Sequence, residues 1–122
     1  MRKMLVVDDI RGFVEGVRDT LEKLGVEAWG IVVSDEGFEF IDPKGFFAHM
    51  HLEAAVREVD TVFLDHTMPT PGDVLLVELR RAGLPSDTKI IGTSSRHQPY
   101  ASMQVSTGVL REEKDLAKLL NL

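Results

Sequence analysis

Short unbroken apolar runs along this chain alternate with stretches where apolar residues return every three or four positions. The first kind reads as buried strand and the second as amphipathic helix. Residues 3–7 predict a strand, and residues 11–24 predict a helix with Val14, Val17, Leu21 and Leu24 on one stripe. Gly25 stands where a helix-ending glycine belongs. Residues 26–33 predict a second strand, with Trp29 and the β-branched Ile31, Val32 and Val33. Ser34-Asp35-Glu36-Gly37 is turn chemistry, and residues 38–41 predict a short extra strand forming a hairpin with Ile31 to Val33. After the breaker Asp42-Pro43-Lys44-Gly45, residues 46–59 predict a second helix with Ala48, Leu52, Ala55, Val56 and Val59 on one face.

Residues 61–64 form a compact apolar strand that ends in Asp65, followed by a Pro/Gly-rich turn. A third helix is predicted over 74–82, with Asp73 as its N-cap and Gly83 at its C-terminus. Residues 89–93 predict a fourth core strand. Residues 96–101 leave no room for a full helix, 103–106 predict a fifth strand, and 111–120 a last helix. That helix turns Leu116, Leu119 and Leu120 inward and carries Glu112 and Glu113 in its first turn, where the helix dipole favours them. Strands alternating with helices imply an α/β fold: one domain over 1–122, built as a three-layer doubly wound parallel sheet of about five strands. Right-handed crossovers place all strand carboxyl ends on one edge, the edge where such sheets bind ligands. Asp8, Asp9, Asp65 and Ser94 all fall there.

Composition narrows the function more than the fold. With 122 residues, 43% hydrophobic and 28% charged, the chain is of ordinary globular type. The absence of cysteine excludes a disulfide framework, a thiolate metal site and a cysteine nucleophile. A net charge of −6 argues against a nucleic-acid surface. No apolar run approaches the ~18 residues of a membrane span. The run Met4 to Val7 is too short for a signal peptide, so a cytoplasmic protein is expected.

Three carboxylates at one edge repel each other, and a divalent cation is the natural compensation. Magnesium takes oxygen ligands and keeps open positions for water and phosphate. Asp8, Asp9 and Asp65 suit such a partial shell, completed by a backbone carbonyl just past Asp65. A carboxylate beside magnesium can also serve as nucleophile toward a phosphoryl group, giving an aspartyl phosphate. A hydroxyl at Ser94 is placed to donate to a phosphoryl oxygen.

Val6-Val7-Asp8-Asp9, then Phe63-Leu64-Asp65-His66-Thr67-Met68-Pro69, then Ile90-Ile91-Gly92-Thr93-Ser94-Ser95, together resemble the receiver domain of two-component response regulators. The resemblance implies a flavodoxin-like topology and a signalling role, with phosphate taken from a histidine kinase or phosphotransfer protein and passed as a signal to a downstream protein. It implies Asp65 as phosphoacceptor, Asp8 and Asp9 as the magnesium-holding pair, Thr67 as a metal ligand through its backbone carbonyl, and Ser94 as the phosphoryl contact, with Ser95 the small residue after it. On this reading the chain is a phosphoacceptor and not an enzyme acting on other substrates, with neither nucleic acid nor membrane as partner.

Three departures stand out. The family carries a Lys, usually followed by Pro, at the end of the fifth strand, and residues 103–108 contain neither. The fourth helix is reduced to the loop 96–101, so Tyr100 does not match the family's aromatic switch residue in the fifth strand. The link 34–45 is longer than usual. Arg96 or His97 is a candidate replacement for the missing positive charge. These departures support an alternative, a receiver-like interaction module independent of phosphate. A phosphatase with an aspartyl-phosphate intermediate is weaker, because Asp65-His66-Thr67 lacks the second Asp that haloacid-dehalogenase-like enzymes use as general acid.

Plainer readings exist for single residues. Asp9 reads alone as a helix cap, Ser94-Ser95 as loop, and His66 as an exposed side chain. His49 and His51, two apart on a predicted helix, do not share a face. The cluster Phe38, Phe40, Phe46 and Phe47 reads as cover for one edge of the sheet.

Overall fold

The computed structural model describes residues 1–45, 47–48 and 52–122. In chain order they form β1 (Lys3–Asp8), α1 (Arg11–Lys23), β2 (Glu27–Ser34), β3 (Gly37–Ile41), β4 (Phe47–Ala48), α2 (Leu52–Val56), β5 (Thr61–Leu64), α3 (Gly72–Arg81), β6 (Lys89–Gly92), β7 (Met103–Gln104), α4 (Thr107–Arg111) and α5 (Glu113–Leu120). One seven-stranded sheet runs in the order β4-β3-β2-β1-β5-β6-β7. Its five strands β2-β1-β5-β6-β7 are mutually parallel, and the hairpin strands β3 and β4 add antiparallel at the β2 side. The parallel part has the doubly wound flavodoxin order. The expected count of about five strands therefore holds for the parallel core, and the hairpin accounts for the other two.

The central strands β1, β5 and β6 are buried on both faces, so their side chains divide by parity. Met4, Val6, Phe63 and Ile91 pack on one side with Phe13, Val14, Val17 and Leu21 of α1 and with Leu110, Leu116 and Leu120 near the C-terminus. Leu5, Val7, Val62, Leu64 and Ile90 pack on the other with Val56, Val59, Leu75 and Leu79. Gly30 of β2 leaves room for Val14 and Arg18 of α1, which lie where its Cβ would be. Arg18 is 2% exposed, and its guanidinium donates to the carbonyls of Ala28 (3.0 Å) and Asp42 (2.6 Å) and pairs with Glu22. α1 and α3 both close on glycines in the left-handed region, Gly25 at φ 81° and Gly83 at φ 108°, as their positions in the sequence predict.

Several boundaries differ from expectation. The predicted helix over 46–59 is instead the two-residue strand β4 and the five-residue α2; Phe46, His49, Met50 and His51 lie outside the described residues. α3 begins at Gly72, after Pro71 at the N-cap, so Asp73 sits in its first turn and does not cap it. The predicted last helix starts earlier and is broken: Glu112 takes an extended conformation (φ −103°, ψ 120°) between α4 and α5. β7 spans only Met103–Gln104. The loop between β6 and β7 contains no helix, as its length requires.

Candidate functional site at the carboxyl edge of the sheet

The carboxyl ends of β1, β5 and β6 lie side by side, and each hands the chain to a loop on the same edge. The β1 ladder continues past β5, with the amide of Asp65 donating to the carbonyl of Val7 at 3.2 Å. The β5 ladder continues past β6, with the amide of Thr93 donating to the carbonyl of Leu64 at 3.1 Å. These backbone bonds fix Asp8, Asp65 and Thr93 laterally before any side chain acts. One carboxylate oxygen from each of Asp8, Asp9 and Asp65 lies within 4.8 Å of the others. Asp8 is buried, Asp65 half-buried and Asp9 exposed. All three open into a cleft of about 550 Å³, shared with Thr67, Thr93, Ser94, Arg96 and Ser106.

The N-cap of α1 is Ile10, and Asp8 Oδ1 accepts its amide at 3.0 Å. Asp9 is therefore not the helix cap that its position suggests, and it faces the cleft. The Asp8 carboxyl is pushed up from 3.8 to about 7, first by burial, then by a hydrogen bond shared with Asp9, with the negative charges of Asp65 and Asp9 adding to the rise. Burial also raises Asp65, opposed by the amides of His66 and Thr67; that of His66 donates to Asp65 Oδ1 at 2.8 Å. Two of three crowded carboxylates are thus held partly against ionisation, the electrostatic condition a divalent cation relieves.

The turn after Asp65 is tight. Amides of Met68 and Gly72 both donate to the His66 carbonyl, at 3.1 and 3.2 Å. A Cβ on Gly72 would strike Tyr100 Oη and the Asp65 carbonyl, so glycine at the start of α3 lets the helix approach the acid. His66 is half-buried and not exposed as its position suggests; its Nδ1 lies 3.0 Å from Tyr100 Oη.

Three hydroxyls follow β6, those of Thr93, Ser94 and Ser95, and all three residues line the cleft. Ser94 reaches the cleft, but its Oγ accepts the Arg96 amide at 3.2 Å. Thr93, which sequence reasoning passed over, is 6% exposed, lines the same cleft, and its Oγ1 is the one buried side-chain polar atom without a partner among the described residues. The overlooked signal was strand parity: Phe63 and Ile91 are paired in register and point to the α1 side, so Asp65 and Thr93, each two residues further on, share that side.

Gln98 was missed as well. It is 2% exposed, although it lies in a loop. Its Nε2 donates to the Leu64 carbonyl (2.9 Å) and Tyr100 Oη (2.7 Å), its Oε1 accepts the Ser94 amide (3.0 Å), and its own amide donates to Gln104 Oε1 (2.8 Å). Gly92, whose Cβ would run into this side chain, makes room for it. No sequence pattern marks a polar loop residue as buried.

Comparison with solved structures places this arrangement in a known class of fold. The chemotaxis protein CheY4 of Vibrio cholerae matches with a TM-score of 0.69 at 20% identity, over 99% of this chain and 97% of that one. A CheY-like response regulator receiver domain from Methylobacillus flagellatus matches with a TM-score of 0.68 at 22% identity, over 99% and 97%. A receiver domain from Clostridium thermocellum gives a TM-score of 0.66 at 18% identity, over 99% and 92%. The chain therefore has the fold of CheY-like response regulator receiver domains along nearly its whole length. No family model matches the sequence, and no curated protein does.

Proposed function

We propose that this chain is a signalling receiver that accepts a phosphoryl group on Asp65, in a magnesium-dependent reaction, from a histidine kinase or a phosphotransfer protein. The observation that carries the reading is the convergence of Asp8, Asp9 and Asp65 within 4.8 Å, in a cleft that also holds the unpartnered Thr93 hydroxyl. The site fits magnesium: its donors are oxygens, they are too few to complete an octahedron, and burial of Asp8 penalises its charge until a cation arrives. Asp8, Asp9 and Asp65, with the Thr67 carbonyl, would hold it. Bound there, it supplies charge neutralisation for the phosphoryl oxygens.

Asp65 forms the new bond to phosphorus with a carboxylate oxygen, while the donor's bond to phosphorus breaks and its electron pair leaves with the donor. The His66 amide on Asp65 Oδ1 helps to fix the orientation of the carboxylate. Of the hydroxyls after β6 we assign the phosphoryl contact to Thr93, because its buried Oγ1 has no other partner and strand parity puts it on the same side of the sheet as Asp65. Ser94 instead helps shape the loop. The chain acts as phosphoacceptor, with a downstream protein as reader and the cytoplasm as its compartment; no described helix is long and apolar enough to cross a membrane.

The test is incubation with magnesium and acetyl phosphate, followed by intact-mass measurement. One added phosphoryl group is expected, absent in Asp65→Asn and without magnesium. No adduct together with no magnesium binding refutes the reading. The absence of a lysine on β7 and of a helix between β6 and β7 supports a second reading, a phosphate-independent interaction module. Magnesium binding without an adduct would select it.

A further inference from the structure

We propose that Arg96 is the cation that faces the phosphoryl group on Asp65, presented by the loop after β6 because β7 supplies none. The inference rests on the reading of Asp65 as phosphoacceptor and adds a residue to it.

The starting point is a charge imbalance. A phosphoryl group on Asp65 would bring up to two negative charges beside Asp8 and Asp9, about four in all, against two from a divalent cation. Transfer of such a group depends on charges placed to meet its oxygens. The segment following β7 brings Ser106 and Thr107 to the cleft, both uncharged. Among the residues lining the cleft, Arg96 is the one that carries a positive charge. Its side chain is exposed and makes no ion pair or hydrogen bond with the described residues. His97, its neighbour, does not line the cleft.

What makes Arg96 more than a passing surface charge is the way its backbone is held. Its amide donates to Ser94 Oγ at 3.2 Å, and its carbonyl accepts Gln104 Nε2 at 2.7 Å. The same Nε2 reaches the Ser94 carbonyl at 3.1 Å, while Gln104 Oε1 accepts the amide of Gln98. Gln104 is the last residue of β7. The strand that lacks a cation therefore uses its terminal amide to clamp the loop that carries one. Gln98, buried beneath, ties the same loop to the end of β5 through Leu64, the residue before Asp65. Arg96 is thus referenced to Asp65 by two side-chain amides, with its long guanidinium stem free to close on an anion.

The experiment compares phosphorylation rates with acetyl phosphate and saturating magnesium, and affinity for beryllium trifluoride, a phosphoryl mimic. Arg96→Gln is expected to slow phosphorylation by about 10- to 100-fold and to weaken beryllium trifluoride by about tenfold or more, with magnesium affinity unchanged. Because Arg96 is exposed, the variant should keep the parent's thermal unfolding. Arg96→Lys, or Arg96→Gln combined with Ser106→Lys, is expected to recover most of the rate. Arg111, in the neighbouring groove beside α1, is the control, and Arg111→Gln should leave the rate unchanged. Equal rates for the parent and Arg96→Gln overturn the proposal. So does an equal slowing by Arg111→Gln, which would show diffuse charge, or a failure of both lysine variants to recover the rate. No adduct on the parent chain would overturn the assignment of Asp65 itself, and this proposal with it.

Discussion

Replacing Asp8 by Asn should make the metal-free protein more stable at neutral and alkaline pH, while destroying its response to magnesium. Asp8 is 5% exposed, and its carboxyl is raised from 3.8 to about 7 by burial and by neighbouring acids. The folded state therefore holds a proton that the unfolded state has released, throughout the interval between those values. Stability must fall as pH rises across that interval. Below about 4 Asp8 is protonated in both states and costs nothing; above about 7 it is charged in both, and the full penalty is present. At about 1.4 kcal/mol per pH unit, the rise corresponds to roughly 4 kcal/mol at most. Water in the open cleft and relaxation of Asp9 reduce it, so a gain of about 2–4 kcal/mol is expected for Asp8→Asn at pH 8. Asparagine keeps an oxygen to accept the Ile10 amide, so the start of α1 is preserved. Urea denaturation with a chelator present is the assay. The variant's midpoint should exceed the parent's by about 1–2 M at pH 8, and the two should converge near pH 4. Added magnesium should raise the parent's midpoint and leave the variant's in place. A variant no more stable than the parent at pH 8 without metal refutes the account of Asp8 as a buried charge awaiting a cation.

Gln98→Leu leaves the Ser94 amide without its partner and takes from the Leu64 carbonyl one of its two donors, the Thr93 amide remaining, and should cost about 1–3 kcal/mol by urea denaturation, with faster amide exchange at Ser94; unchanged exchange would show that the loop is held by other means. Gly72→Ala forces a methyl against Tyr100 Oη and the Asp65 carbonyl, and should cost about 1–3 kcal/mol and weaken magnesium, measured by calorimetry in parallel with unfolding. The chain has one tyrosine, so phenolate absorbance reports Tyr100 alone. Its titration midpoint should lie above 10.0 in the folded protein, because burial disfavours the phenolate, and should return to about 10 in strong urea.

The parallel core was legible because its strands are covered on both faces and so appear as unbroken apolar runs, each closed by a polar residue where it leaves the sheet. That property exposed Asp8, Asp9 and Asp65 together. Elements with no run long enough to show a period were not legible. β4 has two residues, and the break at Glu112 is a single extended residue between helical turns. The missing helix was legible as a shortage of chain between β6 and β7. Its consequence was not, since burying Gln98 depends on Gly92, Leu64 and Tyr100 coming together from separate elements. Thr93 could have been found by counting alternate residues from Ile91, whereas the free state of its hydroxyl depends on which groups the fold brings around it.

The sheet ends on both sides in strands of two residues, β4 and β7. An unpaired strand edge invites another chain to add itself by backbone hydrogen bonds, and the invitation grows with its length. Two residues offer little ladder, and at the β7 side the next residues turn away into α4. The β7 flank is therefore a poor template for strand addition. On that side a docking protein would have side chains and loop shape to recognise, and the loop between β6 and β7 that carries Arg96 lies there.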